Sequence, residues 1–384
     1  MAKTAQLEIK AQNISETLRD FFRSMLQSEE ISAIMVQQRL ALLDGRKYLV
    51  MPALVSDPER LDGVDPLAPV FPMNAARIVS RLTRKHSGGK VAVVLRPCEI
   101  RAFVELVKLK QGHTEDIFII GFDCPGAYKN TDYFRLLEQQ GKGLSQEFCQ
   151  NVFSGKGAVI GDKDIATACK ACEHLIPEGA DIGIGLFGVD ITSHLLIQAL
   201  TPKGEELFAK LKLSESDEPQ KRQSSIAETV AARTAYRDKM FAETDEAVNG
   251  VEKLTAYLAN CVNCYNCRVA CPVCYCKECV FVTDVFNHEP VQYLQWARRK
   301  GLIKMPTDTL FYHLTRLAHM STACVGCGQC SNACPNDIPV MELFRTVAYR
   351  TQKAFDYEAG RSIQDAPPLS EFREHEFGEV VGIN

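Results

Sequence analysis

The chain has 384 residues, 46% hydrophobic and 24% charged, ordinary proportions for a globular protein and length enough for two or three domains. A net charge of -4 gives no footing for nucleic acid or an anionic membrane surface. The opening MAKTAQLEIKAQ has no apolar signal-peptide run, and the longest apolar stretches, such as IFIIGF at 117–122, fall short of a membrane span. A cytoplasmic protein is expected, and there clustered thiols read as metal ligands rather than disulfides.

Residues 1 to about 45 read as helical, with Ile14, Leu18, Phe21, Phe22 and Met25 on one face of ISETLRDFFRSML. Strand and helix then alternate. RKYLVMPAL (46–54) predicts a strand, NAARIVSRLTRK (74–85) a helix and KVAVVL (90–95) a buried strand. EIRAFVELVKLK (99–110) predicts a helix, DIFIIGF (116–122) and ADIGIGLFG (180–188) two more buried strands. This is the pattern of an α/β sheet with helical cover. GIGLFG matches GxGxxG literally, but no helix signal follows it and it reads as core strand. The polar, proline-bearing 213–225 reads as a surface loop, followed by a strong helix to about 248. The resulting domains are 1–212 (α/β), 213–249 (linker and helix), 250–350 (all-α, cysteine-rich) and a charged tail, 351–384, packing on the surface or on a partner.

Sixteen cysteines are present, and eight fall into two copies of one pattern. Cys261-x2-Cys264-x2-Cys267-x3-Cys271-Pro and Cys324-x2-Cys327-x2-Cys330-x3-Cys334-Pro are the runs of a two-cubane ferredoxin. There the fourth cysteine of each run serves the other cluster. One [4Fe-4S] cluster is therefore expected on Cys261, Cys264, Cys267 and Cys334, the second on Cys324, Cys327, Cys330 and Cys271. Structural zinc would use two CxxC pairs per closed site, which this is not. The long gap between the runs carries helix signals, VQYLQWARRKGL and TLFYHLTRLAHM, the latter with Leu310, Leu314 and Leu317 as an apolar stripe. His313 and His319 there read as surface or packing residues. The arrangement resembles the helical two-cluster ferredoxins of succinate dehydrogenase and heterodisulfide reductase.

Four further cysteines lie in the α/β part. Cys98 follows the 90–95 strand, Cys124 follows the 116–122 strand, and Cys169 and Cys172 form a CxxC before the 180–188 strand. Cysteines beyond the C-terminal ends of neighbouring parallel strands gather on one rim, where open α/β folds place ligands. The residues alone leave open a third metal site or buried structural thiols. LRPCEIRAFVELVKL, GFDCPGAYKN and CKACEHLIPEGADIGIG together resemble the coenzyme F420-reducing hydrogenase/dehydrogenase beta-subunit family, over roughly residues 30–200. That resemblance implies an FAD-binding α/β domain with a third [4Fe-4S] cluster, held by Cys98, Cys124, Cys169 and Cys172.

The flavin has no readable fingerprint; the loops beside the rim cysteines offer Arg96, Arg101, Lys129 and Asn130 as candidate contacts. Cys149 stands alone and reads as a small buried residue. Cys274, Cys276 and Cys279 extend the first run; they are candidates for an alternative fourth ligand, a shield over a cluster, or a further metal completed by a partner's ligand. The C-terminal helical ferredoxin resembles fusions serving formate dehydrogenase or hydrogenase and heterodisulfide-reductase-type partners. The expected function is an electron-transfer oxidoreductase subunit. It would link a two-electron carrier of the F420 or NAD(P) type, at FAD, to a partner redox enzyme. The rivals are a flavin-free iron–sulfur relay and, more remotely, a zinc-stabilised binding module.

Overall fold

Seven strands form one mixed sheet: β1 (Lys3–Glu8), β2 (Ile31–Ala41), β3 (Tyr48–Val55), β4 (Lys90–Leu95), β5 (Ile117–Phe122), β6 (Ile182–Gly185) and β7 (His194–Ala199). Their spatial order is β1-β7-β6-β5-β4-β2-β3. The centre, β2-β4-β5-β6, is parallel, and the pairs β2–β3, β6–β7 and β1–β7 are antiparallel. The computed structural model describes residues 3–10, 13–28, 30–41, 48–85, 88–276, 278–303 and 305–371.

The central strands are apolar on both faces, as a doubly covered sheet requires. Their side chains alternate between two cores. Ala92, Val94, Phe118 and Ile120 face the core closed by Leu18, Phe22 and Met25 of the Ile14–Gln27 helix. Val91, Val93, Ile117 and Ile119 face the other core. That second core takes Ile100 and Phe103 of the Pro97–Lys108 helix. It also takes Tyr312, Leu317 and Met320 of the Thr309–Met320 helix and Phe344 of the Val340–Ala354 helix. The helical C-terminal region is thus built onto one face of the sheet.

Three expectations change. The first 45 residues are not helical throughout. Only Ile14–Gln27 is helix, while β1 and β2 are strands; in β2, ISAIMV is rich in β-branched residues and pairs in parallel with β4. The polar 213–225 stretch is not all surface loop. The long helix starts at Arg222, which is buried and paired with Asp123. On the Thr309–Met320 helix the leucine stripe is split: Leu317 is buried and Leu310 packs on the second core, but Leu314 is 45% exposed, and Tyr312, His313 and Arg316 share the buried face. The described part of the tail returns to the Pro97–Lys108 helix, where Glu105 accepts from the Tyr357 hydroxyl at 2.7 Å and from the Gly360 N–H at 2.6 Å. Residues 372–384 lie outside the described residues.

Candidate iron–sulfur sites and an adjoining cleft

The C-terminal ends of β4 and β5 deliver the rim cysteines. Asp123, wholly buried at the end of β5, accepts the N–H groups of Leu186 (2.7 Å) and Phe187 (3.0 Å) and the Arg222 guanidinium (3.1 Å). This fixes the backbone that carries Cys124, whose own N–H donates to the Leu175 carbonyl at 2.8 Å. After β4, Glu99 accepts the N–H of Arg96 (2.9 Å) and of Ala75 (2.8 Å), which holds the start of the helix bearing Cys98. The buried Arg96 guanidinium donates to the carbonyls of Ala68 (2.8 Å) and Val70 (2.9 Å), and reaches Cys124 Sγ at 3.8 Å. Cys169 comes from the short Thr167–Lys170 helix, tied back by the Ala166 N–H to the Ala127 carbonyl at 2.8 Å. The two cysteine loops touch at Gly126. Its φ is +109°, and a Cβ there would stand 2.8 Å from Ile165 Cδ1 and 3.3 Å from Cys169 Cβ, so a side chain there strains the backbone and must displace Ile165.

Cys98, Cys124, Cys169 and Cys172 line one cavity, joined by Cys327 from the C-terminal region. Cys271, Cys324, Cys327 and Cys330 line a second. Cys261, Cys264, Cys267 and Cys334 line a third. Among the described residues no three His, Cys, Asp or Glu side chains converge on the point a single ion would occupy. The first two cavities adjoin: Gly326 and Cys327 line both.

Backbone and helix donors are aimed at these sulfurs. The N–H two residues downstream faces the sulfur at Cys261, Cys271, Cys324 and Cys327, the donors being Asn263, Val273, Gly326 and Gln329. On the Thr309–Met320 helix, Arg316 Nη1 donates to Cys267 Sγ at 3.0 Å. Tyr312 Oη lies 3.4 Å from the same sulfur, and His313 Nε2 lies 3.5 Å from Cys261 Sγ. Arg316, buried between the Tyr312 and Phe344 rings, also lines the second cavity. Burial works against its charge, but the facing Cys267 and Tyr312 prevail and its pKa is raised. Burial, with Arg316 close by, pushes His313 down to about 4, so its ring is neutral at pH 7. His313 therefore packs against a cysteine, while His319 is exposed.

As free thiols these groups are disfavoured as anions. Burial pushes Cys98 and Cys330 well up, and Cys169 to about 11. A thiolate there needs a cation beside it, which is what metal binding supplies on displacing the proton. Cys149 is buried in the sheet core, its thiol pushed up to about 12 by burial. Cys274, Cys276 and Cys279 line neither C-terminal cavity. Cys276 is exposed and the other two are half-buried.

An open cleft lies beside Cys324 and Gly326. Five cations, Arg101, Arg237, Arg345, Lys353 and Arg361, outnumber Glu173, Asp356 and Glu358 on its walls. Arg101 Nε and Arg345 Nη1 are buried in it without a hydrogen-bond partner among the described residues. His174, on the wall shared with the rim cavity, is driven down to about 3 by burial and by Arg101. Of the four residues singled out for a flavin, only Arg101 lines this cleft; Arg96 lines the rim cavity. Lys129 and Asn130 lie on the seam between the regions, Lys129 pairing with Asp337 (3.3 Å) and the Asn130 N–H donating to Asn332 Oδ1 (3.0 Å). Sequence reasoning missed Arg237 and Arg345, because they reach the cleft from helices remote along the chain.

The family profile for the C terminus of the coenzyme F420 hydrogenase/dehydrogenase beta subunit matches residues 88–221, the stretch that carries all four rim cysteines. Over that stretch the chain resembles this beta-subunit family. A 4Fe-4S binding domain profile matches residues 319–340, so the helical region is an iron–sulfur module. The chain is 25% identical to the F420-dependent formate dehydrogenase subunit beta of Methanocaldococcus jannaschii, over 78% of this chain and 80% of that one. It is 27% identical to the F420-dependent formate dehydrogenase 1 subunit beta of Methanococcus maripaludis, over 73% and 75%. A chain of the F420-reducing [NiFe] hydrogenase complex from Methanosarcina barkeri, in a xenon-derivatised structure, aligns at TM-score 0.47 and 13% identity, over 65% of this chain and 94% of that one. No helix among the described residues is long and apolar enough to cross a membrane.

Proposed function

We propose that this chain is the electron-transfer beta subunit of an F420-linked formate dehydrogenase or hydrogenase type complex. It would exchange electrons between a two-electron carrier and a partner redox enzyme of heterodisulfide-reductase type. The observation that carries the reading is a set of three cavities lined by twelve cysteines, two of them sharing Gly326 and Cys327.

Cys98, Cys124, Cys169 and Cys172 would hold one cluster. Cys271, Cys324, Cys327 and Cys330 would hold the next, and Cys261, Cys264, Cys267 and Cys334 the outermost. Such clusters carry single electrons, and a flavin exchanges one or two. The protein's share is placement and tuning. Arg316 sets a fixed positive charge against Cys267, and the downstream N–H groups soften the charge on four other sulfurs. The cation-rich cleft fits the pyrophosphate of FAD. Arg101 and Arg345 have donors free for it, and both stand beside Cys324 and the rim cavity. The neutral His174 adds no charge there.

Protein purified without oxygen and denatured should release FAD. Its cluster absorbance should bleach with reduced F420 as donor. Full iron and sulfide with no flavin, and no response to F420 or NAD(P)H, would favour the flavin-free relay.

A further inference from the structure

The Pro290–Lys300 helix buries none of its residues and, among the described residues, has no extensive packing against another helix or strand. A helix of this length is marginal in water on its own, and most helices gain their stability by turning an apolar stripe to a core. This one turns it outward. Val291 and Leu294 are 54% and 59% exposed, and Leu302 just beyond is 80% exposed. The rings of His288, Tyr293 and Trp296, the last the chain's sole tryptophan, pack edge-on with centroids 4.9–5.6 Å apart.

The surroundings are apolar too. Of the 21 large hydrophobic residues exposed among the described residues, 12 fall between 262 and 314, far more than that segment's share of the chain. Phe311, 57% exposed, touches Phe281 and Phe286, which joins the neighbouring loop to the Thr309–Met320 helix. That helix begins at the outermost cysteine cavity, where Asn263 is bonded to Asp308 and Thr309 and Cys264 is exposed. Exposed apolar surface on this scale marks an interaction site. The helix ends in Arg298, Arg299 and Lys300, all exposed and with no ion pair among the described residues. One cation there suits the helix dipole; three unpaired cations beside an apolar ridge call for carboxylates opposite.

We propose that the Pro290–Lys300 helix is the docking site for a second redox subunit, whose face carries an apolar groove rimmed by Asp and Glu. This rests on the electron-transfer reading above and adds where the partner sits, beside the outermost cysteine cavity.

The test uses the full chain, tagged in its own host and isolated in its complex without oxygen. Native mass spectrometry reads the subunits, and iron and sulfide are counted in parallel. Leu294→Asp should lower retention of the redox subunit about tenfold, and Arg298→Glu with Arg299→Glu should lower it and remove its salt dependence. Iron and sulfide should not change. Full retention in both variants overturns the proposal, as does a result in which they split a dimer of this chain and leave the redox subunit bound. The charge variant, confined to exposed side chains, carries the test if Leu294→Asp fails to fold. Absence of iron and sulfide in the unmodified chain would instead sink the electron-transfer reading, and the mass spectra would still report on docking.

Discussion

The rim cavity and the outermost cavity each gather four cysteines, but by opposite means. Around Cys261, three cysteines come from one short turn and only Cys334 is distant. The fine adjustment comes from a single helix that lays Tyr312, His313 and Arg316 against the sulfurs. Around Cys98, the cysteines come from three separate loops, and the sheet does the gathering. Asp123, Arg96 and Glu99, just past the ends of β4 and β5, bind backbone groups of the surrounding loops, and Gly126 lets the loops touch. One site is specified by spacing and tuned by side chains. The other is specified by topology and held by backbone contacts. The first should therefore respond to mutation in its potential, the second in its integrity.

The largest expected effect lies at the rim. Replacing Cys124 with Ser should remove one cluster's iron and sulfide while the two C-terminal clusters remain, as counted chemically and by electron paramagnetic resonance. Gly126→Ala should come next. It strains a positive-φ residue and drives a methyl into Ile165 and Cys169, which should cost roughly 1–3 kcal/mol in denaturant stability and loosen the rim cluster first. Arg316→Met removes a charge-assisted bond of 3.0 Å to Cys267. Without that positive charge the reduced state is less favoured, so the potential should fall by on the order of 50 mV, the one-electron equivalent of about 1 kcal/mol. A spectroelectrochemical titration measures this, and an unchanged potential would place Arg316 in packing alone. Smallest of all, Leu314→Gln on the outer face of the same helix should move stability by no more than about 0.5 kcal/mol. A larger loss would mean that Leu314 is buried after all.

The same contrast explains what can be read from sequence. The strands β4 and β5 and the helix from Ile14 are legible because their apolar periods are clean. The two CxxCxxCxxxCP runs are legible because their chemistry is local. β2 reads as helix in the sequence because ISAIMVQQRLALL is apolar at both spacings, and its pairing with β4 decides the matter. The inward face of the Thr309–Met320 helix misleads for a related reason. Hydropathy favours leucine inside, but the neighbouring sulfurs need donors, and Tyr312, His313 and Arg316 supply them. The cleft is not legible at all. Arg101, Arg237 and Arg345 lie on three helices and meet only in three dimensions.

The most direct test of the central claim is the iron and acid-labile sulfide content per chain of anaerobically purified protein, measured beside the Cys124→Ser variant. Three cubanes' worth, falling by one cubane's worth in the variant, is the predicted result. Two cubanes' worth that the substitution leaves unchanged would contradict it, and would reduce the rim cysteines to buried structural thiols.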